Sequence, residues 1–213
     1  MYNWQKNMKQ LTILFTLLLA TFAGYAQSGA EVLRAVSEKV GAMGAYRIDF
    51  QLVMEAAEKP SEGYWVVDGE RYLITIEDLK QGCDGATLWM YNGANREVTL
   101  DAPNHESRNL FDNPTVAFDF AEELFEVTSF EEASPEAWRI VLRPAEGVLE
   151  GVESVVLEVD RESMLPTRLG YDMAGVGLWI NVVKIKPVTT TPSDFAVAAV
   201  SYTHLTLPTM AVV

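Results

Sequence analysis

The stretch Tyr46-Arg47-Ile48-Asp49-Phe50-Gln51-Leu52-Val53-Met54 decides the fold. Apolar and polar residues alternate along most of it, which is the period of a half-buried strand. Similar runs follow at short intervals. Glu58-Lys59-Pro60-Ser61-Glu62-Gly63 is a turn, and Tyr64-Trp65-Val66-Val67 a second strand. The hairpin dipeptide Asp68-Gly69 leads into Arg71-Tyr72-Leu73-Ile74-Thr75-Ile76. Asp84-Gly85 leads into Thr87-Leu88-Trp89-Met90-Tyr91-Asn92-Gly93, and Arg96-Glu97-Val98-Thr99-Leu100 comes next. Five strands on short turns predict an antiparallel meander.

Upstream of the meander the period is helical. Ser28 can cap a helix from Gly29, and Glu31 completes a capping box. Leu33, Val36, Val40 and Met43 then share one face, and Gly41 and Gly44 mark the end. Downstream, Asn113-Pro114-Thr115 reads as a helix entry. Val116 to Phe125 is amphipathic, with Val116, Phe120 and Leu124 on one side. Strands return from Val127: Trp138 to Arg143, Val152 to Val159, Leu165 to Tyr171 and Leu178 to Ile185. Short strands at steady spacing predict an all-β sandwich or barrel, here with two helices added.

The chain has 213 residues, 49% apolar, with 16 Lys and Arg against 30 Asp and Glu, for a formal net charge of −14. That length suits one domain with its own core. The acidic balance opposes nucleic-acid binding and purely electrostatic adhesion to an anionic bilayer. Cys83 is the one cysteine, so internal disulfides and cysteine-rich metal modules are excluded.

The N-terminus reads as an address. Lys6 and Lys9 precede the uncharged run Leu11 to Ala23, and Gly24-Tyr25-Ala26 forms a small-residue cleavage site. The run is too short to span a bilayer. The expected division is a signal peptide over 1–26, a domain over 27–196 and a tail over 197–213. Met8 is a second candidate start. The cut has no cysteine for a lipid anchor, so an exported protein that is not membrane-anchored is expected.

Catalytic patterns are weak. His105 and His204 lack partners at metal-ligand spacing, and neither a nucleophile elbow nor a Walker loop occurs. The expectation is a non-enzyme without catalytic residues, metal or cofactor. Trp65, Trp89, Trp138 and Trp179 all fall in strands. Aromatics on strands suit a filled core, whereas helices laid over a concave sheet can leave a ligand pocket. Pattern alone favours the filled core.

The segment Asp84-Gly85-Ala86-Thr87-Leu88-Trp89-Met90-Tyr91-Asn92 resembles a strand of the periplasmic lipoprotein carriers (LolA-like proteins), where a Gly-led turn opens Leu-Trp-x-Tyr-Asn. Asp49-Phe50-Gln51, Gly63-Tyr64-Trp65, Arg71 to Ile74, Trp138 to Pro144, Leu157 to Asp160 with Leu165-Pro166, and Asp194-Phe195 resemble other strands of that family, in the same order. The match covers roughly residues 28–195.

The resemblance implies a mainly β fold: a half-open antiparallel β-barrel covered by an N-terminal and a central helix. It implies a monomeric periplasmic carrier of acylated lipoproteins, loaded by an inner-membrane release transporter and unloaded to an outer-membrane acceptor. Hiding acyl chains from water is worth ~0.8 kcal/mol per CH₂. The acyl cavity is then expected at Phe50, Tyr72, Ile74, Trp89 and Tyr91. The lid is expected at Leu33, Val36, Val40, Val116, Phe120 and Leu124. The turn Asp68-Gly69-Glu70 departs from the family, whose members carry a basic lid-holding residue there, so that latch does not transfer. A lipid-sensing module of the same fold and a ligand-free β protein are the alternatives. The tail Val200 to Thr209 resembles a translated sequencing adapter rather than the family pattern.

Overall fold

A computed structural model describes residues 28–55 and 57–197, together with the backbone of 204–206. The expected signal peptide and most of the tail lie outside the described residues. The helix α1 (Gly29–Gly41) comes first, followed by β1 (Tyr46–Met54), β2 (Ser61–Asp68), β3 (Arg71–Ile76), β4 (Leu79–Cys83), β5 (Leu88–Asn92) and β6 (Glu97–Asp101). A long connector, 102–124, holds one 3₁₀ turn at Pro114–Val116. Then come β7 (Phe125–Ser134), β8 (Ala137–Pro144), β9 (Ser154–Asp160), β10 (Pro166–Met173) and β11 (Val176–Pro187). A second 3₁₀ turn, Pro192–Phe195, precedes the short β12 (His204–Thr206).

All the strands join one sheet in the order β12-β6-β5-β4-β3-β2-β1-β11-β10-β9-β8-β7. Two antiparallel meanders, β1–β6 and β7–β11, are sewn together where β1 pairs with β11. The sheet does not close: its ends are β7 and β12. This is a half-open antiparallel β architecture covered by a helix. The helix begins as read, with Glu31 N–H donating to Ser28 Oγ and Ser28 N–H donating to Glu31 Oε2. It covers the sheet with Val32, Leu33, Val36 and Val40, all buried.

Two expectations are corrected. The first meander has six strands, because Leu79-Lys80-Gln81-Gly82-Cys83 pairs with both β3 and β5. Lys, Gln and Gly are poor strand formers, so this segment gave no local signal. The central helix is absent. Beyond Pro114–Val116 the run holds only turns, and β7 starts at Phe125. An α-helix would turn Val116, Phe120 and Leu124 inward together. The core instead takes the adjacent pair Ala117 and Phe118, leaving those three half-buried. A ten-residue helix is marginal by itself, so tertiary packing decides its conformation.

Strand glycines are explained by their cross-strand partners. Gly63 faces Phe50, Gly82 faces Trp89, and Gly170 faces Trp179. A Cβ would meet those rings at 2.7, 2.4 and 2.3 Å respectively. Each ring lies over its glycine and covers backbone that otherwise lacks a side chain.

Candidate ligand-binding hollow

Strand register sorts the side chains onto two faces. Tyr46, Ile48, Phe50 and Leu52 of β1, Trp65 and Val67 of β2, and Tyr72 and Ile74 of β3 share the concave face. Over β1 and β2 this face is filled. Phe50 packs on Trp65 with ring centroids 5.1 Å apart, and Trp65 on Phe118 at 6.4 Å. Phe118, Phe120 and Phe125 continue the series. Ser37 on α1 donates its hydroxyl to the Phe118 carbonyl, fastening the connector to the helix.

Over β3–β6 the face is not filled. A hollow of about 440 Å³ is bounded by Ile74, Ile76, Leu79, Met90 and the connector's Phe111, with Lys80, Gln81, Asn92, Glu97 and Thr99 as polar neighbours. A smaller space of about 80 Å³ lies beyond Phe111, against Leu110, Leu149, Tyr171 and Leu178. Phe111 walls both. The larger volume falls in the ~300–1,000 Å³ span of small-molecule sites.

The connector is tied down over the hollow by two side chains from its floor. Tyr72 donates its hydroxyl to the Asp112 carbonyl at 2.8 Å, and Gln81 Nε2 donates to the Phe111 carbonyl at 2.7 Å. Burial pushes the Tyr72 phenol above the ordinary tyrosine value, so it keeps its proton at neutral pH. Behind these bonds sits buried Asn113, whose Nδ2 donates to the His105 and Ser107 carbonyls at 3.0 and 3.2 Å. The tip of the connector is therefore a preformed loop, latched at Phe111 and Asp112.

The residues singled out from sequence divide accordingly. Ile74 lines the hollow, Tyr72 holds its cover, and Phe50 belongs to the filled half. Trp89 lies elsewhere: it pairs with Gly82 and Leu100, on the face opposite Met90. It is 1% exposed, and its indole N–H donates at 2.7 Å to the carbonyl of buried Phe195 in the second 3₁₀ turn. Tyr91 borders the hollow, although alternation puts its side chain on the Trp89 face. The expectation that Trp89 faces the same space as Tyr72 is thus corrected. Leu33, Val36 and Val40 cover the concave face from α1, whereas Val116, Phe120 and Leu124 belong to coil.

Sequence reasoning missed Met90, Leu79, Gln81 and Phe111. Met90 was legible, since it alternates with Trp89. The other three depend on an unrecognised strand and on a loop that returns from outside the sheet.

The site is thus an apolar hollow at one end of a half-open β-sheet, covered by a latched coil connector. No family model matches the sequence, and no curated protein matches it. Solved structures do match. An uncharacterized conserved protein from Thermus thermophilus aligns with 85% of this chain and 100% of its own, at 14% identity and a TM-score of 0.56, so the two share a fold. A putative outer membrane lipoprotein-sorting protein domain from Vibrio parahaemolyticus aligns at 11% identity, covering 80% of this chain and 97% of its own, with a TM-score of 0.48. A LolA superfamily protein from Nitrosomonas europaea aligns at 10% identity, covering 82% and 100%, with a TM-score of 0.44.

Proposed function

We propose that the protein is an exported, non-catalytic carrier that shields the acyl chains of lipoproteins, taking them up at the inner membrane and releasing them to an outer-membrane acceptor. The observation that carries this reading is the hollow of about 440 Å³, open on one side and walled by Ile74, Ile76, Leu79, Met90 and Phe111. An unbranched chain needs apolar walls with few hydrogen-bonding demands, and these side chains make none. The ordered resemblance of the strands to lipoprotein carriers supports the same ligand. A carrier must also let go, and each of the two neutral hydrogen bonds on the cover adds only about 1 kcal/mol to the cost of opening it.

The competing reading is a structural β protein. The packed series Phe50, Trp65 and Phe118 favours it for half of the interior. The two are separated by titrating the purified protein with N-phenyl-1-naphthylamine and competing with palmitate. Saturable fluorescence displaced by palmitate is expected, together with co-purified acyl species in native mass spectra. A protein that never takes up the dye, and whose melting temperature ignores palmitate, is a filled core.

A further inference from the structure

We infer that the hydroxyl of Tyr171 is the polar anchor of the ligand site: in the smaller space beside Phe111 it donates to the carbonyl oxygen of an acyl ester or amide, and so favours esterified chains over free fatty acids. This deepens the acyl-binding reading of the hollow and rests on it.

Strand register puts the Tyr171 side chain on the concave face. It lies opposite Leu178 of β11, and Leu169, its neighbour on the same face, lies opposite Ile180. Leu178 and Ile180 are core residues, and Tyr171 packs against that core. The smaller space of about 80 Å³ is lined by Tyr171 together with Leu110, Phe111, Leu149 and Leu178. Exposed Asn109 and Glu150 stand at its rim.

A tyrosine hydroxyl taken out of water ordinarily finds a hydrogen-bond partner. Tyr72, on the same face, follows that rule, since its hydroxyl donates to the Asp112 carbonyl. Gln81 in the larger hollow is likewise committed, to the Phe111 carbonyl. The Tyr171 hydroxyl meets no acceptor among the described residues. Burial pushes its phenol well above the ordinary tyrosine value, so it stays a donor at neutral pH. The space therefore holds a hydrogen-bond donor with no protein partner, set among apolar walls.

The lining selects a neutral acceptor. Among the described residues no Lys, Arg or His lines the smaller space, and Glu150 at its rim opposes an anion. Burying an unpaired carboxylate costs far more than burying a carbonyl that accepts a hydrogen bond. A space of this size takes the carbonyl group and little else, so the hydrocarbon has to lie elsewhere. Phe111 also walls the larger hollow. With that ring displaced, a chain anchored at Tyr171 runs into the larger hollow. The group esterified to the acyl chain then leaves past Asn109 and Glu150 toward solvent.

The test uses the full chain and its Tyr171→Phe variant, with N-phenyl-1-naphthylamine displaced by methyl laurate, laurate or dodecane. The wild type is expected to bind methyl laurate more tightly than laurate. Tyr171→Phe is expected to weaken methyl laurate roughly fivefold, the worth of one neutral hydrogen bond, and to leave dodecane unchanged. With ¹³C at the ester carbonyl, the infrared stretch of bound methyl laurate is expected at lower frequency in the wild type than in the variant. The melting temperature of the variant is expected not to fall, since no native bond is lost. A clear fall shows that the hydroxyl serves the fold and overturns the anchor. Methyl laurate binding that the variant leaves unchanged, or tighter binding of laurate, also overturns the anchor and leaves the hollow standing as an acyl site. No displacement by any of the three probes removes the acyl-binding reading and the anchor with it.

Discussion

Removing the two bonds that hold the connector down should let it open without unfolding the sheet. Tyr72→Phe keeps the buried ring and deletes only the hydroxyl that reaches the Asp112 carbonyl at 2.8 Å. Gln81→Leu deletes the donor to the Phe111 carbonyl at 2.7 Å. Neither change opens a cavity, so each costs about the net value of a neutral hydrogen bond, ~1 kcal/mol. Together that is ~2 kcal/mol, or roughly a 30-fold rise in the open population. The reporters are the amides of Asp112 and Asn113, which both donate to the Asn109 carbonyl, at 3.1 and 2.8 Å. Native-state hydrogen exchange should find them less protected than Ile74 in β3, and the double variant should speed their exchange about 30-fold. Unchanged exchange at Asn113 would refute the latch. Wild-type protection at Asn113 equal to that at Ile74 would refute a separately opening cover, because the connector would then move only when everything unfolds.

Met90 and Trp89 are chain neighbours on opposite faces, so Met90→Asp should abolish dye uptake with unchanged circular dichroism. Trp89→Ala, by contrast, should cost about 3–5 kcal/mol of stability by emptying a buried site, which denaturant titration reads. Cys83 is fully buried, and burial pushes its thiol above the ordinary value. It should therefore stay unlabelled by a thiol reagent at pH 8 until denaturant is added. Ser28→Ala removes the helix cap and should cost about 1 kcal/mol. Its hydrogen bonds with Ser28 hold the Glu31 carboxyl below the usual carboxylate value. The capping contribution is thus present above the unfolded carboxyl's pKa and is lost as pH falls through the lower folded value. Ser28→Ala keeps the backbone N–H that donates to Glu31, so it is the gap between wild type and Glu31→Ala that should narrow in acid.

Legibility followed the range of the interactions. The capping box at Ser28 and the alternation of β1 are local, and both elements stand where their residues place them. The hairpin at Asp68-Gly69 is equally local, and Gly69 does take the positive φ of 61° that its turn needs. β4 failed the same test in reverse. Its residues have little preference for strand, and its place is set by neighbours on both sides. Trp89 misled for a different reason. A tryptophan in a meander reads as interior, but both faces of this sheet bury aromatic rings. Only the return of Phe195, more than a hundred residues later, decides which side Trp89 occupies.

The missing central helix bears on function. A helix would carry its own ladder of hydrogen bonds and open as a rigid body. The connector instead makes short-range turn bonds, such as Val116 to Asn113 and Asp119 to Val116, and a few bonds to its surroundings. Its inner part is anchored by Phe118, which packs on Trp65 and accepts from Ser37. Its outer part is held by Tyr72 and Gln81, by buried Leu110, and by His105, whose Nε2 lies 3.2 Å from the Gly85 carbonyl. The anchor and the latch lie on opposite sides of the 3₁₀ turn at Pro114–Val116. Releasing the latch is therefore expected to free Phe111 on one side of that turn while Phe118 stays seated on the other. Phe111 walls both spaces, so its displacement is expected to join them into one longer channel. A coil fixed at one end can yield to ligands of different length, since no helix has to be rebuilt at each setting. On the proposed acyl-binding reading, the cover's irregularity is what suits this hollow to chains that vary in length.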